Sequence, residues 1–155
     1  MKTTAVRTQD IEQKWYIMDC SGKTLGRLSV QVANILRGKN KPEYTPNADV
    51  GDFVVLVNAK DIKVTGKKTE DKIYYRHSGY PGGIKQISFK DQLAKDPEKI
   101  IRDSVKGMLP KNRLNRQIIK KLKVYSDENH PHEAQNPKEL KSVSYTHLRA
   151  HETKS

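Results

Sequence analysis

The chain has 155 residues, which suits one domain with a tail, and its single cysteine excludes an intrachain disulfide and a four-cysteine zinc site. Thirty lysine and arginine residues against 18 acidic residues give a net charge of +12, which favours a polyanionic partner, either a nucleic acid or an anionic membrane surface. No apolar run approaches membrane-spanning length and the N-terminus lacks the apolar core of a secretory signal, so we expect an intracellular protein.

The first half of the chain predicts a β-α-β unit that follows a polar, extended arm over residues 1–13. Residues 15–18 form a short apolar strand, and apolar residues at helical spacing predict a helix from about 25 to 37 that ends at Gly38. The continuous apolar run 53–57 is typical of a strand that is buried on both faces of a parallel sheet. Strand, helix and buried strand in this order predict a right-handed crossover.

Extended segments dominate the middle of the chain. We expect a short strand at 62–64, a basic turn with the sequence TGKKTEDK, and a second extended segment at 73–77. The Gly/Pro-rich stretch HSGYPGGIK that follows is typical of a loop.

Two helices are expected in the last third of the domain. The first begins at Asp96 and Pro97, which suit the N-cap and first helical positions, and ends at Pro110. A return to strand is expected near 123–125. The second helix has an apolar face that contains Leu114, Ile118 and Leu122.

The domain pattern stops near residue 141. We therefore predict a single domain over residues 14–141 and a disordered tail over residues 142–155. The tail sequence SVSYTHLRAHETKS resembles translated adapter sequence fused to a truncated reading frame, so we interpret it as non-native.

The stretch DCSGKTLGR raises the question of a phosphate-binding loop, because Gly22 and Lys23 lie between a strand and a helix. A Walker loop needs a glycine five positions before Gly22, where this chain has Ile17 in mid-strand, so we expect no nucleotide-dependent enzyme. Free N–H groups at the helix start would still favour phosphate of another kind. The alternative is that Gly22 serves only the turn and Lys23 is solvated.

Residues 102–123 carry eight lysine and arginine residues against one acid, Asp103. Cations at this density repel one another unless a partner neutralises them, and a nucleic acid backbone does so with release of counterions. Upstream, YYRHSGYPGG (residues 74–83) interleaves aromatic residues with arginine and histidine, which suits stacking on exposed bases. The alternatives are a solvated helix face for the first segment and core tyrosines with a plain loop for the second.

The remaining reactive side chains do not form a chemical site. His130 and His132 lie two residues apart without a nearby cysteine, which makes an incomplete metal shell. His147 and His151 lack the glutamate of the zinc-protease pattern. Cys20 ends a strand and has no histidine close in sequence, so we interpret it as a small buried residue. We expect no metal, no cofactor and no enzymatic activity.

Several motifs occur in a fixed order from about Trp15 to Leu140. They are WYIMDCSGKTLGRLSVQVANILRGK, YTPNADVGDFVVLVNA, TGKK, YYRHSGYPGG, VKGMLPKNRLNR, LKVY and HPHEAQNP. Together they resemble the bacterial-type ribosomal protein L13 family of the large subunit. The stretches VKGMLPKN and HSGYPGG are specific, whereas LGR or GKK alone would be weak.

The resemblance implies an α/β fold with three α/β/α layers and a small, mostly parallel central sheet. It implies a structural protein that binds 23S-type rRNA, helps early subunit assembly and contacts neighbouring large-subunit ribosomal proteins. It implies no membrane partner and no small-molecule substrate, and a location on cytoplasmic or organellar ribosomes. A regulatory RNA-binding protein that acts outside the ribosome remains the alternative.

We expect rRNA contacts from residues chosen by their charge, mostly to phosphates, with RNA shape deciding specificity. One group lies at the two ends of the first helix, another on the basic turn and around the Gly-rich loop, and the largest within the basic run. The groups are Lys23, Arg27, Arg37, Lys39 and Lys41; Lys67, Lys68, Arg76, His77 and Lys85; and Lys106, Lys111, Asn112, Arg113, Arg116, Lys120 and Lys121.

Overall fold

Residues 6–140 are described by the computed structural model, and they form an α/β fold around a parallel sheet, as predicted. The predicted tail and the first five residues of the predicted arm lie outside the described residues. The strands are β1 (Trp15–Asp19), β2 (Phe53–Val57), β3 (Ile73–His77), β4 (Ile84–Ser88), β5 (Leu122–Val124) and β6 (Lys138–Glu139). The helices are α1 (Leu25–Arg37), α2 (Lys68–Asp71), α3 (Phe89–Lys95), α4 (Pro97–Met108) and α5 (Arg113–Ile118).

The central sheet has the strand order β5-β2-β1-β6, and all of its pairings are parallel. β1 and β2 pair along their full lengths, from Trp15 opposite Phe53 to Asp19 opposite Val57, with α1 as the connection between them. The predicted β-α-β unit is therefore confirmed. Four of the five residues of β2 are buried, which agrees with the continuous apolar run in its sequence.

The main core lies between the sheet and the helices α1 and α4. Leu28, Val32 and Leu36 of α1 face this core with Ile101 and Val105 of α4, and all five side chains are almost fully buried. Burial of one such side chain contributes about 1.5–3 kcal/mol, so this interface supplies much of the stability of the fold. The strand residues in the same core are Met18, Val54, Leu56, Leu122 and Val124.

A second sheet consists of β3 and β4 alone, paired antiparallel from Ile73 opposite Ser88 to His77 opposite Ile84. The predicted strand at 73–77 is confirmed, whereas β4 and α3 were not predicted. The Gly-rich loop is the tip of this hairpin and spans 78–83. Tyr74 is partly buried against the core and Tyr75 is exposed, so the core alternative holds for only one of the two tyrosines.

Three local predictions differ from the structure. The expected strand at 62–64 is a single bridge between Lys63 and Thr24. The basic turn contains the four-residue helix α2. Leu122 does not belong to the second helix, because α5 ends at Ile118 and Leu122 begins β5, where it pairs with Val54 of β2.

Candidate nucleic-acid interface

Two surface hollows adjoin along α4. The first, which we call the hairpin hollow, lies between the β3–β4 hairpin and α4 and has a volume of about 480 Å³. The second, the α4–α5 hollow, lies where α4 ends and α5 begins and has a volume of about 670 Å³. Asp103 of α4 lines both. The strands of the hairpin and the basic run are separate segments of the sequence, and they line adjoining hollows on the two sides of Asp103.

Cations surround these hollows, and we call their surface the basic face. Asp103 is the acidic residue among its lining side chains. Lys95 and Lys99 belong to this face, although the sequence analysis did not include them among the candidates. Lys99, Asp103 and Lys106 follow each other at helical spacing in α4, and that spacing predicts a shared face. The cations that line the two hollows are Arg76, Lys85, Lys95, Lys99, Lys106, Lys111 and Arg116.

Pro110 and Asn112 shape the α4–α5 hollow. The last residue of α4 is Met108, because the proline two residues later cannot continue the helix. Asn112 then caps α5, and its Oδ1 accepts hydrogen bonds from the backbone N–H of Asn115 at 2.9 Å and from the Asn115 side-chain amide at 2.7 Å. The cap fixes the Asn112 side chain, so its exposed amide is held in one orientation beside the hollow.

Most of the largest predicted group is exposed. Asn112 is exposed while it caps α5, and Lys106, Lys111, Asn112 and Arg116 line the α4–α5 hollow. The exposed members of the group are Lys106, Lys111, Asn112, Arg113, Arg116 and Lys120.

Lys121 is placed differently from the sequence expectation, because its side chain is directed into the protein. Only 5% of the residue is exposed, and its Nζ donates to the carbonyl of Leu36 at 3.2 Å and forms an ion pair with Asp49. Burial lowers the pKa of Lys121, and the adjacent Asp49 carboxylate opposes that shift. The lysine satisfies a free carbonyl at the end of α1 and fixes the following loop to the core. Lys121 is therefore a structural cation and not a member of the basic face.

Two further candidates near the end of α1 also have internal partners. The Lys41 Nζ lies 2.8 Å from a carboxylate oxygen of the buried Asp52 and donates to the Val50 carbonyl at 2.8 Å. The Arg37 guanidinium donates to the hydroxyl of Tyr44 at 3.0 Å. Both side chains hold the 38–52 loop, whereas Lys39 beside them is exposed.

The turn that precedes α1 is closed by its own backbone hydrogen bonds, and the Thr24 side chain makes no cap hydrogen bond to the start of the helix. The backbone N–H of Gly22 donates to Asp61, that of Lys23 to Cys20, and that of Leu25 to Lys63, all at 2.8–3.3 Å. Gly22 has a φ of 71°, so its role is the turn. Arg27 is exposed in the first turn of α1 and Lys23 lies in the turn before it, so both stay predicted phosphate contacts.

The other predicted candidates divide between the hairpin and its surroundings. Arg76 and Lys85 are directly paired across the hairpin, and both line the hairpin hollow. His77 accepts a hydrogen bond at Nδ1 from the Gly79 N–H at 2.9 Å, which orders the hairpin tip. Lys67 and Lys68 are exposed at the start of α2 and lie outside both hollows.

The histidine pair belongs to an aromatic cluster at the edge of the sheet. His132 Nε2 lies 2.6 Å from the Tyr125 hydroxyl, and its ring packs 5.2 Å from that of Trp15, which stacks on Phe53. The described residues 6–140 contain no group of three or more His, Cys, Asp or Glu side chains arranged to hold a metal ion. No helix in the same range has the length and apolar character to cross a membrane.

Cys20 is fully buried in the main core, as the sequence predicted. Burial, together with the charge of Asp19, raises the pKa of its thiol to about 12. A thiol in this state is a packing residue rather than a nucleophile.

The chain matches known proteins over most of its length. The family model described as Ribosomal protein L13 matches residues 13–131. Large ribosomal subunit protein uL13 from Stutzerimonas stutzeri is 55% identical over 141 residues, which cover 91% of this chain and 99% of that protein. The protein of the same name from Dictyoglomus thermophilum is 59% identical over 140 residues, which cover 90% of this chain and 99% of that protein.

Proposed function

Because this chain belongs to the ribosomal protein L13 family, whose members are structural ribosomal proteins and not enzymes, we propose that it binds 23S-type rRNA and helps early assembly of the large subunit. The observation that carries the proposal is the basic face, where the hairpin, the end of α3 and the α4–α5 segment bring seven cations to two adjoining hollows lined by one acid, Asp103. Its place of action is the cytoplasmic ribosome, where neighbouring large-subunit proteins are its further partners.

The mechanism is electrostatic and geometric. Lysine and arginine side chains of the basic face neutralise phosphates where RNA segments converge, and counterion release drives the association. The α/β body holds these cations at fixed positions, because α4 is packed into the core through Ile100, Ile101 and Val105. RNA contacts of this kind position the partner through its backbone and shape.

The hairpin adds aromatic surface to this electrostatic contact. Tyr75 is 61% exposed and Tyr80 is 74% exposed, the latter at the glycine-rich tip. Exposed aromatic rings stack on unpaired bases, and adjacent glycines let the backbone approach ribose and phosphate closely. The hairpin is therefore suited to a single-stranded or looped part of the rRNA.

The proposed contacts keep most of the residues that the sequence indicated, with Lys95 and Lys99 added and Lys121 left out. Arg37 and Lys41 stay in the proposal as secondary candidates, because both side chains hold the 38–52 loop. The proposed domain is 14–141, with 1–13 as an arm. The proposed direct contacts are Arg76, Lys85, Lys95, Lys99, Lys106, Lys111, Asn112, Arg113, Arg116 and Lys120, and the further candidates are Lys23, Arg27, Lys39, Lys67, Lys68 and His77.

The test is binding of the full chain to large-subunit rRNA across a series of salt concentrations. If six to ten phosphates are neutralised, the plot of log affinity against log salt has a slope of roughly −4 to −9. An unrelated RNA of equal length should bind more weakly at every salt concentration. A flat salt response, or equal binding to both RNAs, would contradict the proposal.

Sedimentation of cell extracts separates the ribosomal role from an RNA-binding regulator outside the ribosome. A constituent of the subunit is found with large subunits in stoichiometric amounts. A regulator is found mainly in fractions that lack large subunits, and that distribution would replace the proposed role by the alternative.

A further inference from the structure

We propose that the α4–α5 hollow takes up one unpaired nucleobase of the bound RNA, an inference that rests on the proposed function. Its volume of about 670 Å³ lies in the range of sites for small ligands. Leu109, Pro110 and Ile119 supply apolar lining, while Lys106 and Arg116 line the same hollow. Apolar surface suits the face of a base, and the cations suit the phosphates on either side of it.

The single acid of the basic face favours a base over a phosphate inside the hollow. Asp103 lines the hollow, so its carboxylate repels a phosphate that enters. Its carboxylate accepts hydrogen bonds from the amino groups of bases. An acid in this position would weaken a purely electrostatic site, and it contributes favourably when a neutral base with a donor group occupies the hollow.

Asn112 complements Asp103 because it offers a donor. Its Oδ1 is already bonded twice to Asn115, so the exposed part of its side chain is the amide NH₂ group. An acceptor on the edge of a base, such as a ring nitrogen or carbonyl oxygen, is the natural partner of that group. The hollow thus combines one acceptor and one oriented donor with apolar surface.

Gly107 is the observation that points most directly to a partner outside the protein. It lies within α4, lines the hollow, and a Cβ built on it meets no atom within 4 Å. Its φ is not positive and internal packing does not require a glycine here, which is also true of Gly26 in α1, but Gly107 alone of these two lines the hollow. A helical glycine destabilises a protein relative to alanine. The missing side chain leaves room that an RNA nucleotide would fill.

The test is a Gly107→Leu variant of the full chain, bound to large-subunit rRNA. We expect its affinity to fall by about tenfold or more, because base stacking in the hollow is lost. The slope of log affinity against log salt should stay unchanged, because the phosphate contacts remain. Reagents that modify the Watson–Crick edges of unpaired bases should show a base that is protected by the wild-type protein and reactive with the variant.

Ala94→Leu is the matched control, because Ala94 is an exposed helical residue of α3 that lies outside both hollows. It should keep wild-type affinity and unfold within a few degrees of the wild-type temperature, whereas Gly107→Leu should unfold at or above it. The inference is overturned if Gly107→Leu binds rRNA as tightly as the wild type, if its salt slope falls with its affinity, or if no base changes its reactivity. If the wild-type protein does not bind rRNA, the proposed function itself is refuted. That outcome differs from every result listed for Gly107→Leu, which concerns only the hollow.

Discussion

Adjacent lysines at positions 120 and 121 have different environments, and this difference can be measured. Lys121 is buried against Asp49 and the end of α1, whereas Lys120 is exposed. Lys121→Met should lower the free energy of unfolding by about 1–3 kcal/mol, because it leaves Asp49 and the Leu36 carbonyl without their partner. Lys120→Ala should change it by less than about 0.5 kcal/mol. Urea unfolding of both variants measures the difference.

RNA affinity should show the opposite order for the same two variants. Lys120→Ala removes an exposed cation from the proposed interface and should reduce the salt slope by about one. Lys121→Met should leave the slope at its wild-type value at temperatures where the variant is folded. If the slope of log affinity against log salt fell by the same amount in both variants, Lys121 would have to contact RNA. Its burial in the structure would then not describe the bound protein.

Cys20 gives a second prediction at the level of one side chain. A fully buried thiol with a pKa of about 12 has almost no thiolate at pH 8. We expect a disulfide exchange reagent to modify the native chain only as fast as the chain opens. In urea above the unfolding midpoint, the same reagent should react stoichiometrically within the mixing time. Rapid modification of the native chain would show that the main core around Cys20 is open to solvent.

At the scale of elements, the 38–52 loop is held against the end of α1 by Gly51. A Cβ at this position would lie 1.8 Å from the Leu36 carbonyl oxygen and 2.3 Å from its carbon. Backbone atoms cannot yield as a flexible side chain does, so Gly51→Ala should lower the free energy of unfolding by about 3 kcal/mol. Thermal or urea unfolding measures this loss.

Gly26→Ala is the matched substitution within α1. Its added Cβ meets nothing within 4 Å, and alanine is the better helix former, so it should raise the free energy of unfolding by about 0.5–1 kcal/mol. The two variants make the same chemical change with opposite expected signs. Equal effects would mean that the loop moves away from α1 without cost, and that the contact at Leu36 contributes no stability.

The segment that carries His132 should make stability depend on pH. Burial first, then the charges of His130 and Lys123, lower the pKa of His132 below its ordinary value of 6.5. The unfolded chain therefore binds more protons, so this contribution to stability is fully present above pH 6.5 and is lost as the pH falls through the folded pKa. We expect the loss in urea unfolding between pH 7.5 and 5.5 to be smaller for His132→Gln. An unchanged pH dependence in that variant would assign the effect to other groups.

Periodicity predicted the central elements because their burial is one-sided or complete. α1 shows a helical stripe that ends at Gly38, and β2 is an uninterrupted apolar run. β4 (Ile84–Ser88) has no such signal, since most of its residues are exposed and it pairs only with β3. Leu122 kept the helical spacing of the preceding residues by coincidence, and its pairing with Val54 is a long-range contact that no local pattern reports.

The sequence indicated most cations of the candidate site, but not which of them are exposed or share one face. Counting cations indicated the 102–123 run, yet it did not separate the exposed Lys120 from the buried Lys121. It also passed over Lys95 of α3 and Lys99 of α4, which line the hairpin hollow together with hairpin residues that are distant in the sequence. Which side of an element a cation occupies depends on tertiary packing, and a partner such as Asp49 lies too far away in sequence to be recognised.

At the scale of the molecule, the net charge of +12 has two opposite effects: it lowers the stability of the free protein and raises its affinity for RNA. The basic face brings seven cations together with one acid, Asp103, so the free protein is destabilised by repulsion among these cations. Added salt screens that repulsion, because the Debye length falls from about 10 Å at 0.1 M to about 3 Å at 1 M. The same salt weakens RNA binding, because each released counterion gains less entropy when the surrounding salt is more concentrated.

The thermal midpoint of the free protein should therefore rise between about 0.05 and 0.5 M potassium chloride, a range over which screening becomes strong. The affinity for rRNA should fall over the same range. Calorimetry and filter binding on one preparation measure both quantities. A variant with Lys106→Gln and Lys111→Gln should show a smaller rise in midpoint and a shallower binding slope, because both effects arise from the same cations. A midpoint that ignores salt while binding still weakens would mean that acids elsewhere already balance the basic face in the free protein. The charge of the basic face would then matter for RNA binding only, and it would not reduce the stability of the free protein.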